Sequence, residues 1–184
     1  MWVYNWEYKG RFGREWVEIS AKNDILDQIS QKGGERNMAS FVGSHTRQLD
    51  ERGRFVLPSK IREKIEGEVH ITRSLVDDCL LLYTDDEWKI LEEQVRELPT
   101  TTNKAAKRFV QIVFGQAVSG EVDKQGRIVL TKELLDAVGM TRDIVLVGIG
   151  SKVELWDAAK YAETMAEADF TEILDGISQF GLNI

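Results

Sequence analysis

The sequence predicts an α+β fold made of two tandem β-β-α-β-β-α units, and three observations carry that prediction. The stretch L-D-E-R-G-R-F-V-L-P at 49–58 returns as V-D-K-Q-G-R-I-V-L-T at 122–131. The shift that carries Asp50 to Asp123, 73 residues, also carries Ile61 to Leu134, Ile65 to Val138, Ile71 to Ile144, Tyr83 to Trp156 and Trp88 to Tyr161 without a gap. A chance turn motif would not bring helix, strand and aromatic positions along at one spacing, so the chain is read as a duplication. Finally, each copy holds helix start and stop residues in the same order between its strand-sized apolar runs.

The elements follow in sequence. The first unit opens with a strand over 43–49, the D-E-R-G-R turn, a short strand over 55–57, and a helix beginning at Pro58. Proline suits a first helical turn because its missing N–H would have been unpaired there. Gly67 offers a left-handed stop. Strands over 69–74 and 79–83 lead into T-D-D-E, where Thr84 and Glu87 form a capping box, each side chain reaching the other's unpaired backbone N–H. Trp88, Leu91, Val95 and Leu98 then keep to one helical face as far as Pro99. A connecting helix over 103–114 is apolar through Phe109, Val110 and Val113 and closes at Gly115. The second unit repeats the scheme, with strands over 116–122 and 127–130, a helix over 131–138 ended by Gly139, strands over 142–148 and 152–156, and a helix from Asp157 to about 168. The apolar faces at 88–98 and 109–113 exceed what one small unit covers, which points to contacts between subunits.

Composition narrows the class. A chain of 184 residues with 42% hydrophobic content, two prolines and no low-complexity tract is an ordinary globular sequence. The single Cys79 cannot form an internal disulfide, and no segment reaches the roughly 18 to 20 apolar residues of a membrane span, so a cytoplasmic setting is expected. The formal net charge of -7 argues against a polyanionic partner on average. The local field differs: Arg47, Arg52, Arg54, Lys60 and Arg62 face only Asp50 and Glu51, while the acidic residues collect over 77–97 and after 154.

Enzymatic chemistry finds little support. His45, His70 and Cys79 lack ligand spacing, and Cys79 reads as a small core residue. The carboxylates Asp77, Asp78, Asp85, Asp86 and Glu87 suit a turn and a helix N-terminus. No P-loop or nucleophile elbow is present. No catalytic residue, metal or cofactor is therefore expected. Tyr83, Trp88, Trp156 and Tyr161 recur at equivalent positions and read as core.

The duplicated turn remains. Gly53 and Gly126 fit the one position of a short hairpin turn that needs a positive φ. Asp50 and Asp123 can accept hydrogen bonds from amides a few residues on and so shape the loop. Arg54 and Arg127 then either staple the hairpin to that Asp or reach outward, and the residues alone leave both readings open.

The two-copy D-x-x-G-R, together with L-L-L-Y-T-D-D-E-W, F-V-Q-I-V-F-G-Q-A and V-E-L-W, resembles the MraZ family of bacterial transcription regulators over residues 38 to about 168. The resemblance implies a fold related to the AbrB swapped-hairpin barrels, with both AbrB-like repeats (38–99 and 116–168) in one chain, a connecting helix at 100–115 and peripheral helices. It implies a nucleoid-associated, DNA-binding repressor of the division and cell-wall gene cluster. Such a protein assembles as a ring whose subunits meet direct repeats in double-stranded promoter DNA. Loop residues Asp50, Gly53 and Arg54 and their copies Asp123, Gly126 and Arg127 map onto the family motif. Arg47, Arg52, Lys60 and Lys124 would add phosphate contacts. Thr131 stands where Pro is common, and Glu51 brings a negative charge into the first loop. The alternative is a structural or protein-interaction ring that keeps the fold without DNA binding.

Residues 1–37 lie outside the resemblance. Met38 is expected as the natural start, with the preceding part translated from a misassigned one; the competing expectation is a genuine extension with an accessory helix over 23–29. The tail at 169–184 carries Ile173, Leu174 and Ile177, enough for one or two amphipathic turns.

Overall fold

Neither unit keeps its strands to itself. In the computed structural model, which describes residues 39–178 and 180, the strands are β1 (Phe41–Gln48), β2 (Arg54–Val56), β3 (Glu68–Arg73), β4 (Leu80–Thr84), β5 (Val118–Glu121), β6 (Arg127–Val129), β7 (Asp143–Gly150) and β8 (Val153–Asp157). The helices are α1 (Ser59–Arg62), α2 (Asp85–Arg96), α3 (Lys104–Val113), α4 (Lys132–Val138), α5 (Ala158–Ala166) and α6 (Phe170–Ser178). Six strands form an antiparallel sheet in the order β1-β7-β8-β4-β3-β5, and β2 pairs with β6 in a separate two-stranded ladder. The first strand of each unit thus lies against the third strand of the other, and the order reads the same when the units are interchanged. Two residue pairs mark the local dyad, because Phe55 faces Ile128 and Leu81 faces Glu154, each opposite its own copy at 73 residues.

This exchange has a hydrophobic cause. Phe55, Leu57 and Ile61 share one buried cluster with their copies Ile128, Leu130 and Leu134, alongside Phe41, Ile71, Leu82, Ile144, Leu146 and Leu155. A unit with two short hairpins has too little apolar surface to bury alone, and interlocking removes both sets from water together. The strands form two separate sheets, and the six-stranded one is not closed. β1 and β5 end the sheet, and the three-residue strands β2 and β6 pair with each other.

Several local expectations change. The constant shift fails at the third strand: Val69 faces Thr84 while Ile144 faces Asp157, so Ile144 is the structural copy of Val69, 75 residues on, and not of Ile71. The two extra residues before β7 are recovered in the next hairpin. Four residues separate the paired Gly148 and Val153, against six between the paired Arg73 and Leu80. Pro58 sits just before α1, at φ -54 and ψ 140, with no side-chain cap, and α1 has only four residues. Thr131 in the same place accepts from the Leu134 amide, and α4 runs seven residues to a left-handed cap at Gly139, φ 60. Gly67 is also left-handed, φ 77, but stands beyond the turn after α1. The capping box is half made: Thr84 accepts from the Glu87 amide at 3.4 Å, whereas one Glu87 carboxylate oxygen is buried without a partner among the described residues. Burial, with Asp86 nearby, holds that carboxyl above its usual range.

The faces of α2 and α3 meet over one small cluster against the sheet. Trp88, Tyr83 and Val113 form a second cluster with Leu81, Leu91, Phe109 and Phe114 packed on it, and the Thr72 hydroxyl donates to the Val113 carbonyl at 2.7 Å beneath it. His70 stacks on Trp88 with centroids 4.9 Å apart. Leu98 stays exposed, as do Phe170, Ile173 and Leu174 on the tail helix α6. The accessory helix expected over 23–29 lies outside the described residues.

Candidate nucleic-acid interface

Each D-x-x-G-R turn is closed by the same bonds. In the first, the Asp50 amide donates to the Arg54 carbonyl (2.9 Å) and the Gly53 amide to the Asp50 carbonyl (3.0 Å). Asp50 Oδ1 accepts from the amides of Arg52 and Arg54, both at 2.9 Å, and Oδ2 from Arg54 Nε at 2.7 Å. In the second, Asp123 Oδ1 accepts from the amides of Gln125 (2.8 Å) and Arg127 (2.9 Å), and Oδ2 from Arg127 Nε (2.8 Å). The Arg54 and Arg127 amides, followed by the same residues' guanidinium groups, hold the two carboxyls below their usual range. Both are therefore ionised at neutral pH, when the guanidinium needs its partner.

The glycines lock each turn onto the other unit. Gly53 and Gly126 take φ 71 and φ 76, a region an L side chain enters at about 1–2 kcal/mol. The Leu130 amide donates to the Gly53 carbonyl, and the Leu57 amide to the Gly126 carbonyl, both at 2.8 Å. A Cβ on Gly53 would fall within 3.0 Å of the Leu130 carbonyl oxygen, so only glycine permits this approach.

The ladder decides where the arginines stand. Arg54 lies opposite Val129 and Arg127 opposite Val56, while Phe55 and Ile128 between them are buried. Directly opposed residues share a face, so both arginines lie with the exposed Val56 and Val129 on the outer side of one two-stranded ribbon. They are diagonal neighbours in it, a relation that places residues about 7–8 Å apart. Their side chains are 29% and 30% exposed. Among the described residues, each Nε is held by its Asp, and the Nη groups bond to nothing. Such a geometry fixes the plane of a guanidinium and leaves its terminal fork available for a planar acceptor.

The other expected residues divide. Arg52 and Lys124 are exposed in the two turns, and Lys60 is exposed on α1. Arg47 is occupied: its Nε donates to the Val56 carbonyl at 3.1 Å and its Nη1 to the Thr46 carbonyl at 2.7 Å, bracing β1 against β2. One residue was not selected from the sequence as a site residue. Arg62 lies over Gly126, its guanidinium beside the position a Cβ would take. Its repeat copy is Leu135, and that exchange of charge for an apolar residue was the available signal.

The remaining candidate groups stand apart from the ribbon. Among the described residues, no three His, Cys, Asp or Glu side chains gather as a metal site, and no helix is long and apolar enough to cross a membrane. His70 is held by the Ser119 hydroxyl at 2.8 Å and by Asp85 at 3.4 Å. Burial, with Glu154 nearby, pushes the Cys79 thiol up to about 12, far from a nucleophile's range.

Fold and site together define a duplicated, strand-exchanged α+β protein presenting two Asp-stapled arginines on a common ribbon. The model of a family described as "MraZ protein, putative antitoxin-like" matches residues 40–111 and 113–176. Similar proteins include one from Pediococcus pentosaceus, 37% identical over 144 residues, and one from Clostridium tetani, 36% identical over 143; each alignment covers 77% of this chain and 99% of the relative. A third, from Desulfitobacterium hafniense, is 40% identical over 129 residues, 70% of this chain and 89% of the relative. All three are named "Transcriptional regulator MraZ". The chain belongs to the MraZ family.

Proposed function

We propose that the chain is a transcriptional regulator that binds double-stranded DNA through the β2/β6 ribbon. The observation that supports this best is the placement of Arg54 and Arg127 on one exposed face, each with Nε held and its Nη fork unpartnered. A fork of that kind matches two phosphate oxygens or the O6/N7 edge of guanine. Arg52, Lys60 and Lys124 add phosphate contacts that set position without reading sequence. The relatives' name, which speaks of regulation, agrees with this reading.

One chain offers few cations against a net charge of -7, so affinity must come from several copies acting together. In this proposal a ring-shaped homo-oligomer engages successive direct repeats upstream of its own gene, in the division and cell-wall cluster, and represses it as a nucleoid-associated factor. The test is a gel shift on that upstream DNA. Arg54→Ala and Arg127→Ala each remove a contact worth about 1–3 kcal/mol per loop. The double variant is expected to lose retention while its oligomer size and thermal midpoint stay near wild type. The Asp-Arg staples favour a second reading, a structural or protein-interaction ring. On that reading the same variants unfold or fall apart, and DNA affinity is absent from the start.

A further inference from the structure

The two turns match in backbone and differ in charge. Asp50, Glu51, Arg52 and Arg54 balance to zero, whereas Asp123, Lys124 and Arg127 leave an excess of one positive charge. The side chain lying over each turn's glycine comes from the other unit and widens the difference. Gly53 has Leu135 Cδ1 against it, part of a side chain packed on the main core. Gly126 has Arg62, whose Cδ, Cζ and Nη1 all lie around the position of a Cβ. The Arg62 guanidinium makes no hydrogen bond or ion pair among the described residues. The second turn thus counts three cations, Arg62, Lys124 and Arg127, against the single carboxylate of Asp123, while Arg52 and Arg54 share their turn with two.

This inequality matters for a body with a local dyad. A face with two equal loops presents the same chemistry in either direction and suits an inverted repeat. A face with one stronger end has a direction and suits repeats that run head to tail. We propose that Arg62, donated by the first unit, is a phosphate-contacting residue of the second turn and makes that turn the anchoring end of a polar DNA face. The proposal rests on the DNA-binding reading and adds to it a residue and a direction.

The test compares wild type, Arg62→Ala and Arg62→Lys by anisotropy on a labelled duplex of the upstream DNA and on a scrambled duplex of the same composition. Arg62→Ala is expected to weaken binding to both duplexes by the same factor and to flatten the log K against log salt slope by about 1 per bound chain, so that the ratio of wild-type to variant affinity falls about fourfold for each bound chain between 50 and 200 mM salt. Arg62→Lys restores most of the slope, and the thermal midpoints of all three agree. A wild-type slope and affinity in Arg62→Ala overturns the proposal while leaving the DNA-binding reading in place. So does a lowered thermal midpoint with an unchanged slope, which assigns Arg62 to packing. Failure of wild type to bind either duplex removes the DNA-binding reading first and this proposal with it.

Discussion

Gly53 and Gly126 form a matched pair for testing the interlock. Alanine at either position meets the same backbone demand, φ 71 and φ 76, at about 1–2 kcal/mol. What differs is the neighbour. At Gly53 the new methyl strikes the Leu130 carbonyl, part of a backbone whose amide also donates to Gly53, so the second unit must move and that bond is lost. At Gly126 the methyl meets the end of the Arg62 side chain, which can swing aside. A broken interior backbone hydrogen bond that leaves its groups unpaired adds about 1–3 kcal/mol, so Gly53→Ala is expected to destabilise by about 2 kcal/mol more than Gly126→Ala. For a chain of this size that gap appears in urea unfolding as a midpoint about 1 M lower. Equal midpoints, or a lower one for Gly126→Ala, would refute the idea that backbone crowds the first glycine and a movable side chain the second.

Two further outcomes are expected elsewhere. Buried Asp157 caps α5 through the Ala159 and Lys160 amides and also accepts from the Thr141 amide and hydroxyl, at 2.9 and 2.6 Å. Burial pushes its pKa up, but the Thr141 and amide bonds together outweigh that and hold it low. A depressed folded pKa stabilises above the ordinary carboxylate range, and the benefit is lost as pH falls through the folded value. Asp157→Ala should therefore cost about 1–2 kcal/mol at neutral pH in chemical denaturation, while Asp157→Asn costs less and flattens the acid limb. Cys79, fully buried with its thiol pushed up to about 12, should resist alkylation at pH 8 in folded protein and react on unfolding, as read by intact mass. Rapid labelling of the native chain would contradict its placement in the core.

The duplication and its turn chemistry were legible because they are local. An Asp, a positive-φ Gly and an Arg at fixed spacing dictate one hairpin whatever surrounds it, and the bonds of Asp50 and Asp123 follow from that spacing alone. Partner choice was not legible. Periodicity identifies β1 and β3 as strands but carries nothing to say that β1 pairs with β7 of the other unit. The shift of 75 at the third strand was hidden because Ile71 and Ile144 are both buried isoleucines, so the sequence aligns them although the ladders do not. The meeting of α2 and α3 over one cluster was not legible either, because it depends on a long-range contact between Thr72 and Val113. Arg62 escaped for the same reason, since its relation to Gly126 exists only once the units interlock.

Cross-linking tests the central claim most directly. A photoreactive residue placed at Val56 or Val129, both exposed and each directly opposite an arginine, should form adducts with the upstream duplex on irradiation, and one at Leu75 in the β3–β4 hairpin should not. Efficient binding with no adduct from either ribbon position, or adducts from Leu75 instead, would place the DNA elsewhere on the molecule and contradict the account.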